Sequence, residues 1–143
     1  MNPLEVAFPG LATTPYRVTS PPTADYNCIA WAAGATDRWW WPDAANASYW
    51  PSGVPREESI PAFLMAFANL GFVPTTDTGY EVGFEKVVLM AKNGKPTHMC
   101  RQLPSGRWTS KLGRAEDIEH ELHALTGATY GDVVHVLRRA TTT

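Results

Sequence analysis

Cys28, in the run Asp25-Tyr26-Asn27-Cys28-Ile29-Ala30-Trp31-Ala32-Ala33-Gly34, sits where a Pro/Ser/Thr-rich lead-in gives way to a small-residue stretch. That stretch predicts a helix from about Asn27 to Ala33, with Asp25 or Asn27 as N-cap and Gly34 as C-cap. A thiol in the first turn of a helix feels unpaired N–H groups and the positive end of the helix dipole, both of which favour the thiolate. Further on, Pro96-Thr97-His98-Met99-Cys100-Arg101-Gln102-Leu103 places His98 at the start of a strand. An imidazole brought to the thiol would take its proton and leave a nucleophile able to attack a carbonyl. The Cys28 N–H would then serve the tetrahedral oxyanion. The competing reading makes Cys28 a small buried apolar residue of the core.

Strand alternation puts His98, Cys100 and Gln102 on one side and Met99, Arg101 and Leu103 on the other. Backing the His98 side against the Cys28 helix would assemble the pair and exclude Arg101. A third polar group would fix the imidazole tautomer. Ser110 stands nearest to His98 across a hairpin turning at Pro104-Ser105-Gly106. Gln102 shares the face but lies further along, and Asp117 is a carboxylate without fixed geometry. Asn27, Trp108 and Lys111 are supporting candidates: Trp108-Thr109-Ser110-Lys111-Leu112-Gly113 reads as a cleft wall, with Lys111 available to an acidic substrate group.

Rival uses of the same residues stay open. Cys28, His98 and Cys100 could bind zinc, although no C-x-x-C pair accompanies them. His120 and His123 are expected on a solvated helix face, and His135 as a structural side chain in a strand. The non-enzyme alternative is a catalytically lapsed binding or adaptor module that uses its Trp-rich loop as contact surface.

The elements around these residues read as follows. Residues 1–24 form an irregular arm, and 35–55 a long loop with Trp39-Trp40-Trp41-Pro42 and Tyr49-Trp50-Pro51. Arg56 to Gly71 is the clearest helix, capped by Ser59, with Ile60, Phe63, Leu64, Phe67 and Leu70 on one stripe. Lys86–Ala91, Thr97–Leu103 and Arg107–Ser110 form a meander whose first turn is Asn93-Gly94. Ile118–Leu125 reads as a short helix and Gly131–Arg139 as a closing strand. The fold class expected is α+β: one domain over 1–143, with two helices on an antiparallel sheet of four or five strands.

Composition narrows the partners. A net charge of −2 with scattered Lys and Arg gives no reason to expect nucleic acid or an anionic membrane. No apolar run would span a bilayer, and Met1-Asn2-Pro3-Leu4-Glu5 has no signal-peptide pattern. A cytoplasmic location with reduced cysteines is expected, signal-independent export aside. Oligomeric state is left open.

The order Tyr-Asn-Cys-small-Ala on a helix, followed by His98 opening a strand–turn–strand unit, resembles the NlpC-like peptidases of the papain-like superfamily. The resemblance implies a papain-like fold and a cysteine hydrolase acting on a peptide or isopeptide bond of a peptide or protein substrate. It implies Cys28 as nucleophile, His98 as base and acid, Ser110 in the third position, and no cofactor. Asn27, Ile29-Ala30 and Ser110 depart from that family's usual Asp, Ser-Gly and His, Asn or Gln. Over Tyr26–Ala32, the Trp-Pro loop and Trp108–Gly113, the chain is also similar to a group of short bacterial proteins without an assigned activity.

Overall fold

Among the described residues every strand joins one antiparallel sheet, and the helices are short. The computed structural model describes residues 2–141. After helix α1 (Pro3–Ala7) and a 3-10 turn (Pro9–Ala12) come β1 (Arg17–Ser20), α2 (Cys28–Ala33) and α3 (Ile60–Ala68). The strands β2 (Val73–Thr75), β3 (Phe84–Lys92), β4 (Lys95–Gln102), β5 (Trp108–Lys111), β6 (Asp117–His120) and β7 (Asp132–Ala140) follow. The sheet runs β1-β6-β5-β4-β3-β7-β2. The protein is therefore α+β, as the sequence predicts, with seven strands instead of four or five.

Local chemistry explains the helices. The Asn27 side chain accepts from the Ala30 N–H and starts α2, and Gly34 ends it in the left-handed region at φ 87°. Ser59 caps α3 through the Ala62 N–H, with proline in its first turn. The Asn93-Gly94 turn has φ of 53° and 78°, the signature of a type I′ hairpin between β3 and β4.

Two expectations fail for the same reason. The 1–24 arm is not irregular throughout, because β1 pairs with β6. Residues 118–125 are not a helix: Asp117–His120 pair with β5 on one side and β1 on the other, and turns follow. Sheet pairing on both edges of β6 satisfies its backbone and overrides weak helical spacing.

The sheet is covered on both faces. On one, Val87, Leu89, Met99 and Leu137 pack against Ile29 and Ala30 of α2 and Phe63 and Phe67 of α3. On the other, Val88, Met90, Cys100, Trp108 and Ile118 pack against Phe8, Leu11 and Leu125. The Trp-rich loop is a satellite of the first core. Trp40 and Trp50 are buried, and Arg56 ties the loop together through the carbonyls of Trp41, Asp43 and Ser48. Among the described residues no helix is long and apolar enough to cross a membrane.

Candidate active site

Cys28 occupies the first turn of α2, as its sequence context predicts, and is 6% exposed. Asn27 positions that turn. Beyond capping α2, its side chain exchanges hydrogen bonds with the backbone of Trp40, donating at 2.9 Å and accepting at 3.0 Å.

The sheet face turned to α2 is not the expected one. Met99 lies in the core with Cys28, while Cys100 belongs to the opposite core. His98 pairs with Met90 and points with Cys100. Arg101, expected on the side away from α2, projects on the α2 side over the Trp31 ring. Both faces of β3 are buried and apolar and both faces of β4 carry polar residues, so polarity did not mark the side that takes the helix.

Helix α2, with Cys28 in its first turn, nevertheless packs against β4, the strand that carries His98. The β4–β5 ladder covers only Arg101↔Thr109 and Gln102↔Trp108. In antiparallel pairing N–H groups two residues apart point the same way, so Met99 presents its N–H beyond the end of that ladder. Backbone N–H groups of Met99, Ile29 and Cys28 itself favour the Cys28 thiolate. Lys111 adds a favourable positive charge. Burial outweighs all of these and pushes the Cys28 thiol up to about 11.

His98 is fully buried and begins a chain of polar contacts on the far face. Its Nε2 lies 2.9 Å from Ser110 Oγ, and Ser110 Oγ lies 2.7 Å from His120 Nε2. His120 Nδ1 is 2.7 Å from the Glu121 carbonyl oxygen. A carbonyl only accepts, so His120 carries its proton on Nδ1 and accepts at Nε2. Burial holds His120 at about 4, so it is singly protonated at neutral pH. The one Ser110 proton therefore goes to His120, and the 3.2 Å contact with Cys100 Sγ runs from the thiol. Ser110 can then only accept from His98, which fixes the His98 proton on Nε2. His98 Nδ1 is left as a bare lone pair, and among the described residues it has no hydrogen-bond partner, Cys28 included.

Burial and the neighbouring His120 hold the His98 imidazole well below 6.5. The resting site is a neutral thiol with a neutral imidazole, not the ion pair expected from the sequence. Tyr130 lies flat against His98, ring centroids 4.0 Å apart.

The other candidates fall away from the thiol. Gln102 donates to the carbonyls of Thr78 and Gly106. Trp108 is buried in the far core and forms no cleft wall. Lys111 is buried and donates to the carbonyls of Thr23, Gly113 and Ala115, which leaves no donor for a substrate. Asp117 accepts from the Tyr26 hydroxyl at 2.6 Å on the α2 side. Among the described residues no three His, Cys, Asp or Glu side chains are grouped to hold a metal ion.

Sequence reasoning missed His120 and Tyr130. His120, expected on a solvated helix face, is fully buried on β6. Its one legible signal was the alternation of Ile118 and His120. Tyr130 offered none, since the Thr129–Gly131 loop brings it to His98 from distant sequence.

A family model described as a domain of unknown function (DUF7689) matches residues 17–138. No curated protein and no solved structure matches the chain.

Proposed function

The chain belongs to the DUF7689 family, and from its own residues we propose that it is a papain-like cysteine hydrolase cleaving an amide bond of a peptide or protein. The observation that carries the reading is the hydrogen-bond chain at His98, from which its tautomer follows. The one-way chain from His98 through Ser110 and His120 to the Glu121 carbonyl leaves Nδ1 unprotonated, one residue from Met99, whose backbone N–H favours the Cys28 thiolate.

In this mechanism Cys28 Sγ attacks the carbonyl carbon and its proton passes to His98 Nδ1. The tetrahedral oxyanion takes N–H donors at the start of α2. The amide C–N bond breaks as His98 returns the proton to the leaving nitrogen, giving a thioester at Cys28. Water then gives a proton to His98 and attacks the thioester; the acid leaves, and Cys28 recovers its proton. Since thiol and imidazole are both neutral at rest, proton transfer accompanies attack instead of preceding it. Ser110 holds the His98 tautomer and His120 holds Ser110. No cofactor is part of the scheme, and a cytoplasmic setting that keeps both thiols reduced belongs to it.

A second reading follows from the burial of Cys28 and its raised pKa: a lapsed enzyme that keeps the scaffold for binding. The burial of Trp40 and Trp50 weighs against the Trp-rich loop as its contact surface.

The deciding experiment is the burst of nitrophenolate from a p-nitrophenyl ester, with the acyl group located by mass spectrometry. One equivalent on Cys28, slowed about a hundredfold or more by His98→Ala, is the expected result. A folded protein that is not acylated at Cys28, or acylated equally fast without His98, would establish the lapsed reading.

A further inference from the structure

Arg101 is a half-buried cation with no carboxylate within ion-pair distance among the described residues, although Glu85 and Asp117 lie near enough to favour its charge. Its guanidinium carbon lies 4.4 Å from the centroid of the Trp31 ring. Its Nε is buried and has no hydrogen-bond partner among the described residues. Arg56, Arg107, Arg138 and Arg139, similarly half-buried, each have a carboxylate within ion-pair distance. Glu85, on the strand beside Arg101, is taken by Arg139 at 2.6 Å.

The arginine is also held in place. The Trp31 indole N–H donates to Thr109 Oγ1 at 3.1 Å, which fixes the ring on which the guanidinium lies. Arg101 lines a cleft of about 290 Å³ together with Tyr80, Phe84, Gln102, Pro104 and Glu85, whose carboxylate is the one already engaged by Arg139. A planar fork of donors, oriented by stacking and partly stripped of water, matches the planar two-oxygen edge of a carboxylate. The cleft has room for a small group, not for a large ligand.

We infer that the Arg101 cleft binds a carboxylate carried by a short peptide. Arg101 stands two residues beyond Met99 on the same face of β4, about 7 Å along the strand. That places the carboxylate one or two residues from the scissile amide, an assignment of substrate class that rests on the hydrolase reading. The binding itself does not.

The test is titration of the intact protein with N-acetyl-dialanine, its C-terminal amide, and N-acetyl-glutamyl-alanine amide, read by the NMR shift of the Trp31 indole proton. At least one carboxylate probe should bind tenfold or more tighter than the uncharged amide. Whichever does so identifies the source as a chain terminus or an acidic side chain. Arg101→Gln should remove the preference, Arg101→Lys should retain part of it, and Cys28→Ala should leave it intact. Equal affinity of wild type for charged and uncharged probes would overturn the site, even were Arg101→Gln to misfold, as would a preference surviving in a folded Arg101→Gln. Carboxylate binding without acylation of Cys28 would keep the site and discard the hydrolase.

Discussion

The ring of Tyr130 lies on that of His98 with centroids 4.0 Å apart and planes 11° from parallel. This contact covers the imidazole whose buried Nδ1 has no hydrogen-bond partner among the described residues. Exclusion of water there is the main reason the imidazolium form is disfavoured. Gly131 makes the approach possible, since its φ is 78° and a Cβ would collide with the Ala91 carbonyl.

Tyr130→Ala should therefore raise the His98 pKa toward 6.5 by admitting water to the ring. A pH titration of the His98 ring carbons by NMR measures this directly. An unchanged midpoint would mean that other neighbours, not Tyr130, keep the site dry.

Ser110→Ala removes the hydroxyl that joins two buried imidazoles. Each ring left without its partner costs about 1–3 kcal/mol, so urea unfolding should show a loss in that range or somewhat more. Ser110→Thr keeps the hydroxyl and should lose less stability. In the His98 ring, ¹⁵N shifts should report the proton on Nε2 in wild type and a mixture of tautomers in Ser110→Ala. A wild-type ring protonated on Nδ1 would remove the general base from the mechanism.

Stability should fall as the solution is acidified below about pH 6.5. The folded pKa of His120 is lowered to about 4 and that of His98 lies well below 6.5. Between those values the unfolded chain binds protons that the folded protein does not, so stability rises with pH across the window and is complete above it. For His120 alone the loss down to pH 4 is on the order of 3 kcal/mol. Urea midpoints at pH 7.5 and 5 should differ clearly in wild type and by less in His120→Gln. A flat profile would be incompatible with two buried neutral imidazoles.

Lys111→Met should be strongly destabilising. The ammonium satisfies three carbonyls and lies near buried Asp117, opposite it in the β5–β6 register. Its removal leaves these acceptors and a buried carboxylate uncompensated, a loss of about 3–5 kcal/mol. The segment around Thr23 should also become sensitive to limited proteolysis. Wild-type stability in this variant would show that the three carbonyls find other donors.

The amino-acid sequence determined the features that depend on a few neighbouring residues. Asn27 caps the turn that carries Cys28, Asn93-Gly94 closes the β3–β4 hairpin, and the turn at Pro104-Ser105-Gly106 sets Ser110 beside His98. Each is a local matter of backbone conformation or short-range spacing. Tertiary structure alone decided which face of the sheet receives α2. Val87, Val88, Leu89 and Met90 are all buried, so no polar side distinguished the two faces in the sequence. It also turned 117–120 into a strand, because pairing with β1 and β5 satisfies backbone groups that local propensity leaves undecided. The protonation states were out of reach for a related reason. A thiol at a helix start and a histidine on a strand look activated in sequence, but desolvation by distant residues makes both neutral.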